Sequence, residues 1–475
     1  MTILPLDPVS SASPEALTAF LAECREAAAE AGRPKLVSIT IAVESLDPLA
    51  VLESIFEPGE RHFYAERPSG GWAIAGAESV LSFAADGPRR FADCQGFIDR
   101  TLADTIAVGD QEVAFGGPHF FGAFAFLDTV GPGEPFEAAS LFVPRWQVGQ
   151  RAGRTSAVAN LLVEADSPVE ELSARVWHAH AKFRAFDYSA PAVPPEPAVA
   201  GAAVEEVGGR RSYETAVSRA LRRIDEGQFQ KIVLARAKDV RAAGPLHPLR
   251  LLNGLRQRFP DCNAFSVANG AGQSFIGASP ERLLCVEDGV VRTEALAGSA
   301  QRGATASEDA ALGARLLQSD KDQREHRIVL DSIVRRLAPL APDLRYSARP
   351  VLMRLSNVQH LHTPIEAPLP RGVRLLDMLG RLHPTPAVGG TPREVVVPQI
   401  AELEAFPRGL YGGAIGWVDA RGGGEFIVAL RSALVDGDRA RLYAGAGIVQ
   451  GSLPANELEE TELKFRAMQD ALLVA

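Results

Sequence analysis

Apolar residues recur with a period near 3.6 in some stretches of the chain and near two in others, and the switches between these periods mark out the elements. Ser13–Gly32, rich in Ala, Leu and Glu, has the helical period, with Ser13 placed to cap it and Pro14 suited to its first turn. Residues 35–43 read as a strand. Shorter β-like runs follow at Arg61–Ala65, Trp72–Ile74, Gly122–Leu127 and Ser156–Val163, divided by Gly and Pro. Glu170–Phe186 returns to the helical period. Residues 189–200 then hold four prolines, which favours a solvated connection, and the main boundary is placed at 189–208. The chain is thus divided into an N-terminal part, 1–188, and the remainder, 209–475. Beyond the boundary the periods alternate clearly. Helices are expected at Ser212–Glu226 (capped by Ser212), at Pro248–Phe259 and, as one long element, at Ser307–Leu337; a last one starts at Pro454. Strands are expected at Lys231–Ala237, Ala264–Ala268, Ser274–Ala278, Arg282–Val286, Val290–Glu294, Ala414–Asp419, Glu425–Ser432 and Arg441–Ala446. Hairpin-like strand runs mixed with helices predict an α+β fold with large sheets rather than a doubly wound parallel one.

Composition narrows the function classes. With 46% hydrophobic and 23% charged residues over 475 positions, the chain has enough apolar surface for a large core. A formal charge of −10 without any basic run disfavours nucleic acid and anionic membranes as partners. An anionic substrate must then be held by local Arg, Lys or metal. Cys24, Cys94, Cys262 and Cys285 lack metal-knuckle or Cys-x-x-Cys spacing and read as buried thiols of a reducing compartment. The N-terminus lacks the basic and apolar regions of a signal peptide, and no apolar run reaches membrane-spanning length, so a cytoplasmic protein is expected.

Two segments carry the strongest chemical signal. Asp322 and Glu325 lie three residues apart on one predicted helix, and Glu457 and Glu460 three apart on another. Such pairs share a helix face. If the two helices meet, their four carboxylates form a hard-oxygen site suited to Mg²⁺ together with an anionic substrate. On the last helix Glu457, Glu460 and Lys464 fall within roughly 60° of one another at about 100° per residue, away from an apolar stripe of Leu458, Phe465 and Leu472. The plainer alternative is a surface helix with Glu460–Lys464 as an i,i+4 ion pair. Lys231 opens the apolar strand Lys-Ile-Val-Leu-Ala-Arg. A free lysine is protonated at neutral pH, and burial makes it a base; the plainer alternative is a strand-end lysine reaching for water. Glu281 follows Ser-Pro in a turn, where partial burial makes a carboxyl a proton donor; otherwise it is a surface glutamate paired with Arg282. The glycines Gly445, Gly447 and Gly451 ahead of the last helix suggest a loop whose amides grip an anion, with a spacing unlike the dinucleotide fingerprint.

Taken together, Lys-Ile-Val-Leu-Ala-Arg, Gly-Ala-Ser-Pro-Glu-Arg, Thr-Glu-Ala-Leu-Ala-Gly, Glu-His, Leu-Tyr-Gly-Gly and Gly-Ala-Gly-Ile-Val, in this order over about residues 210–470, resemble the chorismate-utilising enzymes. That family spans isochorismate, salicylate, anthranilate and aminodeoxychorismate synthases. The resemblance implies two large, mostly antiparallel sheets forming a core flanked by helices. It implies Lys231 as the base that activates water, and Glu281 as the acid that protonates the departing C4 hydroxyl of chorismate. Glu325 and Glu460 match direct Mg²⁺ ligands, while Asp322 and Glu457 match outer carboxylates acting through water; Asp322 departs from the glutamate of the pattern. Tyr411, Arg431 and the amides of Gly445 and Gly447 match groups that hold a substrate carboxylate. Lys464 and His360 match side chains of the site. Gly298 and Ser299 match a Gly-Thr element, with serine in place of threonine.

Within the family, the amine-transferring members resemble one another in lacking the base lysine, so Lys231 favours water as the nucleophile. Ala297 stands where the aminodeoxychorismate type has a nucleophilic lysine. Leu-His-Pro-Thr-Pro-Ala-Val-Gly-Gly-Thr-Pro looks like the isochorismate synthase version of its motif. The resemblance therefore implies conversion of chorismate to isochorismate, of the menaquinone type given the long N-terminal half. Siderophore-pathway isochorismate synthase and salicylate synthase are the alternatives. A non-catalytic subunit serving a glutaminase partner is disfavoured by the presence of Lys231, Glu281, Glu325 and Glu460 together, and no glutaminase segment is visible.

Overall fold

The structure is a computed structural model and describes residues 1–4, 13–184, 203–356 and 358–474. Among these, all 22 strands belong to one hydrogen-bonded ladder. It is antiparallel except where Thr105–Gly109 lies between Thr2–Leu4 and Lys35–Val43. The strand Trp72–Ala85 runs beside Ala139–Arg151, and their register slips between Ser79 and Leu81, next to Glu78 with a φ of 58°. On either side of that slip Ala139–Arg151 takes a different second neighbour. Trp146–Arg151 pair with Arg154–Val163, whereas Ala139–Phe142 pair with His119–Phe124. A bulge bends its strand and increases local twist, and here the ladder forks. The two expected sheets are thus two arms of one continuous ladder.

One arm runs from the fork through Arg61–Arg67, Asn263–Asn269, Gln273–Ser279, Ser432–Asp436 and Arg439–Val449 to Lys231–Arg241. The other runs through His119–Phe124, Ala414–Asp419, Gly424–Val428, Arg282–Glu287 and Val290–Gln301 to Val358–Pro368. Strands from before and after the proline-rich stretch are neighbours in both arms. A core of Phe63, Phe121, Phe265, Phe275, Trp417 and Tyr443 draws side chains from both, with Phe63 and Phe121 stacked at 4.3 Å between centroids. Among the described residues, no helix is long and apolar enough to cross a membrane. All four cysteines are free and buried.

Several elements differ from the sequence reading. The long helix at Ser307–Leu337 is two helices, Ala306–Gln318 and Asp320–Leu337. Ser319 leaves helical geometry between them, and its hydroxyl accepts from the Asp322 amide at 3.3 Å, so a cap lies inside a nearly unbroken helical period. The helix expected from Ser212 begins at Arg210 behind Gly209, with no side-chain cap. Glu425–Ser432 is not one strand: Gly424–Val428 ends there, Arg431 adopts a φ of 47°, and Ser432 opens the next strand. The helix expected over Glu170–Phe186 is Val169–Arg184; Phe186, residues 189–202 of the proline-rich connection and the Leu472 side chain lie outside the described residues. Ala203–Glu206, also within that expected connection, instead forms an edge strand on Lys231–Arg241.

Candidate active site

The floor of the site is a two-strand ladder, Lys231–Arg241 against Arg439–Val449, which pairs Val233 with Gly447 and Ala235 with Gly445. Side chains alternate along a strand, so Lys231 and Val233 share a face with the two glycines. This corrects the glycine-loop expectation, since Gly445 and Gly447 lie mid-strand and only Gly451 is in the turn beyond. Their lack of a side chain has a direct cause. A Cβ on Gly447 would stand 2.4 Å from Glu325 Oε1 and 3.1 Å from Lys231 Cε, and one on Gly445 would stand 2.8 Å from the Tyr411 hydroxyl. The Gly445 carbonyl accepts from Lys464 Nζ at 2.8 Å and so points away from the Lys231 strand. N–H and C=O of one strand residue point to the same side, so the amides of Gly445 and, two residues on, Gly447 are also turned away from that strand.

Two helices, Asp320–Leu337 and Pro454–Val474, bring an acidic wall over this floor. Each glutamate on it has a lysine. Glu325 Oε1 lies 2.8 Å from Lys231 Nζ, Glu460 Oε1 lies 2.8 Å from Lys464 Nζ, and Glu457 Oε1 lies 2.9 Å from Lys321 Nζ. Asp322 bonds Ser319. Burial, together with the charges of Glu325 and Glu460, raises the Asp322 carboxyl above its usual range. Burial and then Glu460 do the same to Glu457, against the pull of Lys321. Burial also opposes the charge on Glu460, but Lys464, Lys321 and Lys231 outweigh it and hold that carboxyl below the usual range. Among the described residues, no three acidic, His or Cys side chains form a ready-made metal cage.

Glu281 follows the Gln273–Ser279 strand and Pro280. Its amide donates to Ser279 Oγ at 3.2 Å, and its carbonyl accepts from the Val428 amide, which fixes the turn. Its side chain is buried, and burial followed by repulsion from Glu294 pushes the carboxyl up to about 8, against the pull of Lys231. A carboxyl in that state is a proton donor at neutral pH.

At the other end lies Arg431. Its guanidinium donates to Cys262 Sγ at 3.7 Å and to His360 Nε2 at 3.5 Å, and among the described residues no carboxylate pairs with it. Burial lowers its pKa, with the Cys262 thiol opposing. His360 is driven to about 3, first by burial and then by Arg431 and Lys464, so it is neutral. Arginine only donates; His360 Nε2 therefore accepts, which leaves its Nδ1–H to donate to Ser299 Oγ at 2.9 Å. Gly298, at a φ of 77°, packs on Asp322. Tyr411 stacks on Tyr443, with centroids 5.2 Å apart. Below it the buried Arg408 bonds Glu404 and the carbonyls of Val388 and Val233, and Glu404 accepts from the Ala235 amide.

These groups surround one open-mouthed cavity. Lys231, Glu281, Gly298, Ser299, Asp322, Glu325, His360, Tyr411, Arg431, Gly445, Gly447, Glu460 and Lys464 all line this one cavity. Glu457 does not; it is buried behind the wall against Lys321. The sequence reading missed Lys321, although its place four residues before Glu325 puts it on the acidic face. It also missed Val388, which the motif after Leu382 carries into the wall.

Residues 19–473 match the family model described as chorismate binding enzyme. The chain belongs to that family. Among members of this chorismate-binding group, it is 36% identical to the "Salicylate biosynthesis isochorismate synthase" of Pseudomonas aeruginosa over 93% of this chain and 90% of that protein. It is 32% identical to "Isochorismate synthase MenF" of Bacillus subtilis, over 94% and 95%. The structure of the menaquinone-specific isochorismate synthase MenF of Escherichia coli superposes with a TM-score of 0.77 at 27% identity, covering 95% of this chain and 99% of the other.

Proposed function

We propose that this protein is an isochorismate synthase, adding water at C2 of chorismate with loss of the C4 hydroxyl. The observation that carries this reading is a buried lysine and a buried proton-donating carboxyl facing one cavity that also holds a half-buried arginine which, among the described residues, no carboxylate pairs with. Arg431, Tyr411 and the outward amides of Gly445 and Gly447 hold a substrate carboxylate at that end. Lys231, released from Glu325, takes a proton from water as its oxygen bonds to C2. Glu281 gives a proton to the C4 oxygen as that bond breaks, and the ring double bonds shift between them. One water enters and one leaves.

Mg²⁺ belongs to the same proposal. Glu325 and Glu460, with Asp322 at hand, fit a small hard cation that takes one or two carboxylates and keeps substrate and water oxygens; they do not fit an all-protein cage. When bound, the cation supplies charge neutralisation for the wall and the ring carboxylate, and withdraws electrons from the diene. Glu457 would act from behind through Lys321. No glutaminase is needed when water is the nucleophile. Four free thiols support a cytoplasmic setting.

A role in menaquinone synthesis is proposed from the long N-terminal half, which the E. coli menaquinone-specific protein shares. The similarity to the P. aeruginosa protein favours a salicylate route as the second reading. Chromatography of products from chorismate, Mg²⁺ and protein tests the activity: isochorismate is expected, and unchanged chorismate rejects it. Salicylate fluorescence in the same mixture would instead indicate continued elimination of pyruvate. Menaquinone content after loss of the protein tests the pathway.

A further inference from the structure

Behind Glu281 lies a buried pair that the mechanism above does not use. Strand Val290–Gln301 carries Glu294, whose Oε1 accepts from the amide of Arg282 at 2.8 Å. Arg282 is the residue directly after the acid. The other oxygen, Oε2, bonds His362 Nε2 at 2.8 Å, from the adjacent strand Val358–Pro368. Both side chains are nearly buried, at 11% and 14% exposure, so water screens them little. With both oxygens held, the carboxylate cannot swing away from the acid. The Arg282 side chain itself turns to Glu425, at 2.9 Å.

We propose that Glu294 is a positioning residue for the catalytic acid: its carboxylate, fixed by the Arg282 amide and by His362, keeps the proton on Glu281 through the working pH range. This rests on Glu281 being the acid of the proposed reaction. The charged groups facing Glu281 are Glu294, which disfavours its ionisation, and Lys231, which favours it. Those facing Glu294 are His362 and Arg282; although burial opposes its charge, they hold Glu294 ionised. Burial alone would leave Glu281 exposed to the pull of a lysine across the cavity, and a fixed negative charge behind the acid offsets it. A purely structural reading, in which Glu294 and His362 only pin two strands, predicts no link to proton donation.

The experiment is the pH dependence of kcat/KM for isochorismate formation, with Mg²⁺, across roughly pH 6–10. Glu294→Gln keeps the shape and an acceptor oxygen but removes the charge. The descending limb is expected to move down by about one pH unit, a typical effect of one nearby charge. At the acid end kcat/KM should stay within about twofold of the parent. Glu294→Asp, which keeps the charge, should return the limb toward the parent position. If Glu294→Gln does not accumulate folded, Glu294→Met gives the same reading. An unmoved limb, or a uniform loss at every pH, overturns the inference while leaving the function intact. Absence of isochorismate with the parent protein instead removes the reading of function beneath it.

Discussion

The two ends of the cavity handle charge in opposite ways. At and behind the acidic wall, Glu325, Glu460 and Glu457 each have a lysine within 2.9 Å, so the charges of these glutamates are paired inside the protein. At the far end Arg431 lies half-buried against a thiol and a neutral imidazole, in a backbone conformation that disfavours a side chain. A paired carboxylate can exchange partners at small net cost, because a cation bound there, as proposed above, would free the lysine for other work. An unpaired buried cation carries its desolvation cost until an anion arrives. The first end is therefore suited to chemistry and the second to recognition.

Removing the exchangeable lysine should have the largest effect. Lys231→Ala is expected to lower turnover by roughly 10³-fold, within the range for a lost general base, while calorimetry still detects Mg²⁺-dependent chorismate binding. Turnover that survives would break the contrast at its chemical end. Chelation by EDTA should come next, with activity falling on the order of a hundredfold and returning with Mg²⁺; activity indifferent to chelation would mean that the paired end never opens. Arg431→Gln should act mainly on recognition, raising KM about tenfold or more, the scale of one charged hydrogen bond, with a smaller change in kcat. An equal loss in kcat alone would erase the division of labour. The smallest effect concerns stability. Glu281 has a folded-state pKa near 8, above its unfolded value of 4.5, so its favourable contribution is full below about 4.5 and is lost as pH rises toward 8. Glu281→Gln should therefore melt a few degrees above the parent at mildly alkaline pH and show no such gain near pH 4.5. A melting curve that ignores pH would mean that the acid is not held neutral by the fold.

Much of this contrast was legible in the sequence, and the reason is local periodicity. Asp322 with Glu325, and Glu457 with Glu460, announce themselves because a helix repeats every 3.6 residues. What periodicity cannot show is which charges meet across elements. Lys321 finds Glu457 from a helix 136 positions away, and Glu294 finds His362 across 68. Gly447 looks like loop chemistry until the Glu325 oxygen is seen where its Cβ would stand. The break at Ser319 was hidden because both flanking helices obey the same period. The fork was hidden because a register slip of one residue, between Ser79 and Leu81, changes no hydrophobic count.

That fork has a consequence for how the enzyme comes into being. Arg61–Arg67 must wait for Asn263–Asn269, and Lys231–Arg241 for Arg439–Val449, about 200 residues later in each case. Contacts so distant in sequence form slowly. A nascent chain can carry Lys231 and Glu281 long before it has the glycine strand or Glu460. Each arm takes strands from both sides of the proline-rich stretch, so neither arm is complete until the last strands of the chain are in place.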